Sequence, residues 1–264
     1  MNLKYPLPKD TQKNFERIKF YCSNLSLLLD KYIGYEGKDN WELQAKQKNE
    51  IFAKIANNSS FDKNFIQAYH MRWQRMAQSF PYTLKFQASP EWRMIVGLGQ
   101  SSILETSMTL NRISGIPVIP GSALKGLAAS YAMLCVLEKA ERLEAEQDEN
   151  FKAIFGTQNS AGKIIFFDAV PIEAPKLEPD IMNNHHQEYY NGQTAYPAPY
   201  QNPVPIYFLT LGKSTKFDFA IAGQDNTPET KKLVSQADTW LKAGLSEFGV
   251  GAKTSAGYGY MTLL

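Results

Sequence analysis

Tyr82-Thr83-Leu84-Lys85-Phe86-Gln87 decides the reading of this 264-residue chain. Tyr82, Leu84 and Phe86 alternate with Thr83, Lys85 and Gln87, the two-residue period of a strand with one face on a core and one toward water. Everything before it reads differently. Phe15, Ile18, Leu25, Leu28 and Leu29 recur at three- and four-residue steps, which predicts a helix over residues 11–31, with Asp10-Thr11 as its cap and Gly34 as its stop. Trp41 to Ile55 and Phe61 to Gln78 read as two further helices, the latter bounded by Asn57-Asn58-Ser59-Ser60 and Pro81. The expectation is a helical N-terminal extension over residues 1–80 and a strand-containing domain over residues 81–264.

Beyond Gln87 comes a glycine- and serine-rich passage, Gly97 to Ser102, then Ile116-Pro117-Val118-Ile119-Pro120, which its prolines keep extended. Ser122 to Leu137 predicts a helix with Ser122 as N-cap. The acidic run Glu138 to Glu149 reads as a solvated helix or loop. Lys163 to Val170, Pro205 to Leu211 and Lys216 to Ile221 predict strands, the last through Phe217, Phe219 and Ile221. Glu173 to Pro203, rich in proline, tyrosine and asparagine, reads as a long loop insertion, the kind of connection that carries function. A helix over Glu229 to Phe248 and a strand over Tyr258 to Leu263 complete the order β, α, β, β, α, β. That order predicts an α+β, ferredoxin-like (RRM-like) domain, a frequent RNA-binding scaffold.

Composition narrows the classes. With 44% apolar and 20% charged residues, the chain is neither disordered nor collagen-like. It has no run of eighteen apolar residues, and Lys4, Pro6, Pro8 and Lys9 stand where a leader would be apolar, so neither a membrane span nor a signal peptide is expected. Cys22 and Cys135, far apart and outside any CxxC spacing, read as buried free thiols in a reducing cytoplasm. Lysine and arginine number 28 against 26 acidic residues, a net charge of +2 that neither demands nor forbids a nucleic acid.

Two segments carry the chemistry. In Phe248-Gly249-Val250-Gly251-Ala252-Lys253-Thr254-Ser255-Ala256-Gly257-Tyr258-Gly259, four glycines bracket a lysine and two hydroxyls. Amides turned the same way would make an anion nest, and Lys253 a charge-assisted contact to a phosphodiester. A purely structural turn between helix and edge strand is the other reading. The segment is neither a P-loop nor a dinucleotide fingerprint, because it ends in a strand. In Ile119-Pro120-Gly121-Ser122-Ala123-Leu124-Lys125-Gly126, a proline-glycine turn delivers Ser122 and Lys125 to the first turn of a helix, where free amides attract phosphate. An ordinary cap with Lys125 in solvent is the alternative.

Together, Pro120-Gly121-Ser122-Ala123-Leu124-Lys125-Gly126 and the distant glycine turn resemble the RAMP superfamily, the repeat-associated RNA-binding subunits of CRISPR effector complexes. Gly97-Leu98-Gly99, Ile103-Leu104-Glu105-Thr106, Leu110-Asn111-Arg112 and Gly115-Ile116-Pro117 resemble the branch formed by the terminal, sixth RAMP subunit of the Cmr (type III-B) complex. His185-His186, Tyr189-Tyr190 and Pro203-Val204-Pro205-Ile206 do so as well. The resemblance spans about residues 80 to 264. It implies a subunit that contacts a CRISPR guide RNA near its 3′ end, docks on other RAMP subunits and caps their filament. Carried over by position, Ser122, Lys125, Gly249, Gly251, Lys253, Thr254, Ser255 and Gly257 would meet RNA, with Arg112 and Gly99 nearby.

Catalysis is not expected. Related backbone subunits cut RNA with a loop aspartate, yet between Lys85 and Gly121 this sequence has only Glu91 and Glu105 as acids. Asp168 reads as a capping or packing residue. His185 and His186 could serve acid–base cleavage, but adjacent histidines in an extended chain point apart, so a recognition or packing role is preferred. His70 reads as ordinary surface or core. Tyr189, Tyr190, Tyr196 and Tyr200 could stack on bases or anchor a partner subunit, the latter suiting a loop stiffened by proline. The acidic run would face away from RNA. No cofactor, metal or membrane partner is expected. The alternatives are a RAMP-type endoribonuclease and a protein–protein scaffold that never touches RNA.

Overall fold

A computed structural model describes residues 5, 7–18, 22–35, 43, 45–58, 61–197 and 203–264. Trp41 and Tyr200 lie outside the described residues. The architecture is α+β, with helices packed on antiparallel sheet. Two compact units divide the chain: Met1–Ser60 with Gly97–Gly115 and Leu177–Thr210, and Phe61–Val96 with Ile116–Lys176 and Leu211–Leu264. The units therefore do not follow the expected boundary at residue 80.

The second unit is organised by strands β1 (Tyr82–Pro90), β3 (Ile164–Phe166), β4 (Val170–Pro171), β7 (Phe217–Gly223) and β8 (Met261–Leu263). Their order is β3-β7-β1-β8, with β4 also on β7, and each pairing is antiparallel. Leu84 stands opposite Ile221 and Phe86 opposite Phe219, whose rings stack 4.8 Å apart. Helix α9 (Pro228–Glu247) covers that face and places Lys242 Nζ 4.8 Å from the centre of the Phe86 ring. Its start follows from sequence: Thr227 caps it through the amide of Thr230, and Pro228 occupies the first turn. Helix α5 (Gly121–Tyr131) packs beside α9 and runs into a π-helical turn, Ala132–Val136. The strands flanking α5, β1 and β3, have β7 between them; those flanking α9, β7 and β8, have β1 between them.

The other face of this sheet is covered too. Every residue of β7 is buried, and Ala220 and Ala222 leave room for Trp73 and Ala77 of α4 (Lys63–Gln78), with Val118, Phe167 and Val170. Asp218 enters the same layer with a carboxylate, which needs partners once out of water. His70 Nε2 lies 2.7 Å from its Oδ2, and Gln74 Nε2 donates to that oxygen at 3.1 Å. Helix α4, read as the end of the extension, is thus a structural layer of the sheet. Between β1 and the glycine turn lies β2 (Arg93–Met94), paired with Leu211 and Gly212.

In the first unit, the single helix expected over residues 11–31 is two: α1 (Lys9–Ile18) and α2 (Leu25–Asp30). The reason is Asn24, whose Oδ1 accepts the Leu27 amide at 3.1 Å; asparagine caps helices better than it propagates them. Phe15 packs between Tyr5 and Tyr32. Helix α3 (Ala45–Asn58) packs against β5 (Leu177–Asn184), and its Phe52 is 2% exposed. Strand β5 corrects the reading of residues 173–203 as a loop, as does the short helix α8 (Gln187–Tyr190). Strand β6 (Val204–Gly212) lies next to β5, and Thr210 Oγ1 donates to the Glu178 carbonyl at 2.9 Å.

Both cysteines depart from expectation, since Cys22 is half-buried and Cys135 exposed. The acidic run contains only one helical turn, α6 (Arg142–Ala145), before α7 (Glu149–Phe155). No described helix is long and apolar enough to cross a membrane.

Candidate nucleic-acid interface

The glycine turn after α9 is pinned at both ends. Gly249 donates to Gly244, Val250 to Gly259, Ala252 to Ile95 at 2.8 Å, and Gly259 to Arg93 at 2.8 Å. Gly251 has φ +100, and a Cβ there would overlap the Ile95 carbonyl oxygen. Ala256 and Tyr258 donate to the Lys253 carbonyl and Gly257 to that of Thr254, closing a 3₁₀ turn over Thr254–Ala256. The Gly249 and Gly257 amides are thus spent on the fold and are not available to an anion nest. What the turn presents instead is side chains. Lys253 is held in the left-handed region at φ +63, half-buried beside Thr254, with Ser255 and Gly257 exposed. Its Nζ lies 6.0 Å from the centre of the Tyr258 ring.

The second segment is built differently from expectation. Pro120, not Ser122, stands at the cap of α5 and supplies no side-chain bond; Ser122 is exposed inside the first turn. The cap comes from the neighbouring segment, bridged through Ile119 and Ala169: Asp168 Oδ1 accepts the Gly121 amide at 2.7 Å. Asp168 is held in turn by Trp73, whose Nε1 donates to its carbonyl at 2.9 Å. One turn on, Lys125 is half-buried. Burial first, and the Arg142 guanidinium second, hold its pKa below the usual lysine value. Arg142 lies within residues 138–149, so part of the acidic run is near enough to Lys125 for its charge to be felt there. Glu146 binds Arg142 at 2.9 Å. Lys125 and Lys253 rest on different supports: Arg142 and the Asp168-capped helix for one, Ile95, Arg93 and Tyr258 for the other.

Arg112 and Gln100 to Ser102 gather in the first unit around a cavity of about 440 Å³. It is lined by the apolar Leu29, Phe52 and Leu209 and by Lys31, Arg112 and the serines and threonines of residues 101–109. The Arg112 turn is held by Asn111 Oδ1, which accepts the amides of Ile113 and Ser114, and by Asn24 Nδ2, which donates to the Ile113 carbonyl. Asn24 thereby caps α2 and anchors this turn at once. Gly99 is exposed, with open space where a Cβ would stand, so packing does not require glycine there. Glu105, one of the two acids in this stretch, is bound by Lys48 at 2.6 Å.

His185 and His186 are tilted, with ring centres 6.4 Å apart, and the His186 amide donates to Asn184 Oδ1. Tyr189 and Tyr190 follow on α8, edge to face at 5.7 Å, with Tyr190 and Tyr196 strongly exposed. Among the described residues, no group of three His, Cys, Asp or Glu is placed to hold a metal ion. Asp168 is the capping residue expected from sequence, though the helix it caps was not foreseen; the sequence reading missed Arg142 as the neighbour of Lys125 and the exposed Trp92 against Tyr258.

Residues 93–262 match the model of the RAMP superfamily. The chain is similar to the CRISPR system Cmr subunit Cmr6 of Pyrococcus furiosus, 34% identical over 222 residues that cover 63% of this chain and 64% of the relative. It is also similar to the CMR subunit Cmr6 of Saccharolobus solfataricus, 24% identical over 232 residues, covering 86% of this chain and 74% of the relative. It thus spans less than two thirds of the length of the first. A chain in the cryo-EM structure of the Type III-B Cmr-beta complex bound to cognate target RNA shares the fold, with a TM-score of 0.63 at 20% identity. That likeness covers 97% of this chain and 87% of that one.

Proposed function

The chain belongs to the RAMP superfamily, and from that premise we propose that it is a non-catalytic, RNA-binding subunit of a type III-B CRISPR (Cmr) effector complex. It contacts the guide RNA near its 3′ end and caps the filament of neighbouring RAMP subunits, in RNA-guided antiviral defence. The similarity to two Cmr6 subunits supports the complex. The strand order of the second unit, with each helix joining strands separated by a third, supports a ferredoxin-like reading of the domain.

The observation that carries the RNA contact is the pinned glycine turn: the amides of Gly249, Val250, Ala252, Gly257 and Gly259 are used internally while Lys253, Thr254 and Ser255 are presented on the loop they hold. A cation and hydroxyls on a fixed loop suit a sugar-phosphate chain without reading its bases. The π-helical turn favours a docking role alongside. Leu134, Val136 and Leu143 are exposed there, next to Glu138, Glu141, Glu144 and Glu146, a surface suited to protein rather than RNA. For the absence of catalysis, the support is the lack of an aspartate between Lys85 and Gly121 and the engagement of Glu105 with Lys48.

Binding of single-stranded RNA tests the reading. If about five phosphates are contacted, affinity falls roughly a hundredfold between 50 and 200 mM salt. Lys253→Ala weakens binding alike for all sequences; binding unchanged in that variant removes the turn from the interface. Cleavage of repeat RNA that disappears in His185→Ala would establish the nuclease instead.

A further inference from the structure

Beside the glycine turn runs a row of rings and cations. Trp92 sits at the bend between β1 and β2 and is 48% exposed, whereas Trp73 and Trp240 are 6% and 4% exposed. Its indole leans on Tyr258, centres 4.9 Å apart at 49°. Tyr258 is itself buried, so it acts as a fixed backing. The Arg93 guanidinium lies 5.2 Å from the Trp92 ring centre, and Lys253 Nζ lies 6.0 Å from that of Tyr258. The backbone under the indole is laced on both sides: Glu91 donates to Tyr260 and Gly259 donates to Arg93, each at 2.8 Å.

A half-exposed indole on a rigid backbone is poorly explained by packing, because the fold buries the other two described tryptophans. Cations at both ends of the row suit an unpaired strand, in which phosphates alternate with bases. We propose that Trp92 is a stacking platform for one unpaired base of a single-stranded RNA whose backbone passes Lys253. The proposal rests on the RNA-binding reading above and deepens it: the ligand is single-stranded, and the contact tolerates any base, since every base has a π face. The flanking cations favour a polyanion over an apolar protein surface at this spot.

The full chain is titrated with an oligoadenylate, an oligouridylate and an abasic ribose-phosphate oligomer of equal length, following tryptophan emission and affinity. Both base-bearing strands quench emission, and Trp92→Ala weakens them by roughly fivefold to a hundredfold, the range for one stacked base. Trp92→Phe keeps most of the affinity and loses most of the quenching, which also shows that the fold is intact. The abasic oligomer binds wild type and Trp92→Ala equally. Unchanged affinity for oligoadenylate in Trp92→Ala, with Lys253→Ala still weakened, overturns the platform and leaves the RNA reading standing. Absence of binding in the wild type overturns both, and equal loss for the abasic strand assigns Trp92 to packing and overturns the proposal.

Discussion

Replacing Gly251 and Gly257 by alanine, one at a time, separates two ways in which a turn can depend on glycine. Both lie in the left-handed region, at φ +100 and +88, where a Cβ costs about 1–2 kcal/mol against the neighbouring carbonyl. At Gly257 nothing else lies within 4 Å of the added carbon, so the cost stops there. At Gly251 the carbon would overlap the Ile95 carbonyl oxygen, which already accepts the Ala252 amide at 2.8 Å. Separating the two strands of backbone loses that bond, about 1 kcal/mol, and adds about 1–3 kcal/mol of overpacking. Gly251→Ala is therefore expected to destabilise the second unit by about 2–4 kcal/mol more than Gly257→Ala. Urea unfolding followed by tryptophan emission measures it, because Trp73 and Trp240 are buried in that unit. Equal losses for the two variants would refute the argument, since they would show that the approach to Ile95 contributes nothing.

Three further outcomes follow from the helix ends and the half-buried lysine. Asp168→Ala removes the remote cap of α5 and is expected to cost about 1–2 kcal/mol, with Asp168→Asn retaining part of it; identical unfolding curves for wild type and Asp168→Ala would exclude the cap. Asp225 is held at about 2 by hydrogen bonds from Thr230 and Thr227, below its ordinary value of 3.8. Its contribution is complete above the unfolded value and lost as pH falls from about 4 to about 2, so the melting difference between wild type and Asp225→Ala should close over that window. Lys125→Met relieves a desolvated charge beside Arg142 and is expected to raise the melting temperature while weakening RNA binding; a lower melting temperature would contradict the assigned environment.

Local signals in the sequence read well where one residue type has one physical use. The helix over Glu229 to Phe248, the alternation of β1 and the glycine turn are of this kind. The readings failed where packing decides. Alternation through Phe217, Phe219 and Ile221 suggested one buried face, yet the intervening Ala220 and Ala222 are small and apolar, the mark of a strand covered on both sides. Recognising that would have assigned α4 to the sheet. Strand β5 was hidden by Pro179 among polar residues, which an outer strand accepts because it needs fewer ladder bonds. At the candidate site, Lys253 and Arg112 were legible as cations on turns. That Asp168 caps the helix starting at Gly121, forty-seven residues away, and that Trp92 leans on Tyr258 follow only from tertiary proximity.

The interleaving of the two units has a consequence for synthesis on the ribosome. The first unit is assembled from three excursions of the chain, the last ending at Thr210, while the second closes only with Met261–Leu263 beside β1. Neither can mature before most of the polypeptide has emerged, so nascent chains expose unfinished surfaces for nearly the whole of translation. Shortening from the N-terminus as far as Ser60 cuts only into the first unit and shortening from the C-terminus as far back as Leu211 only into the second, but neither unit can be freed of the other's segments except by rejoining pieces of chain.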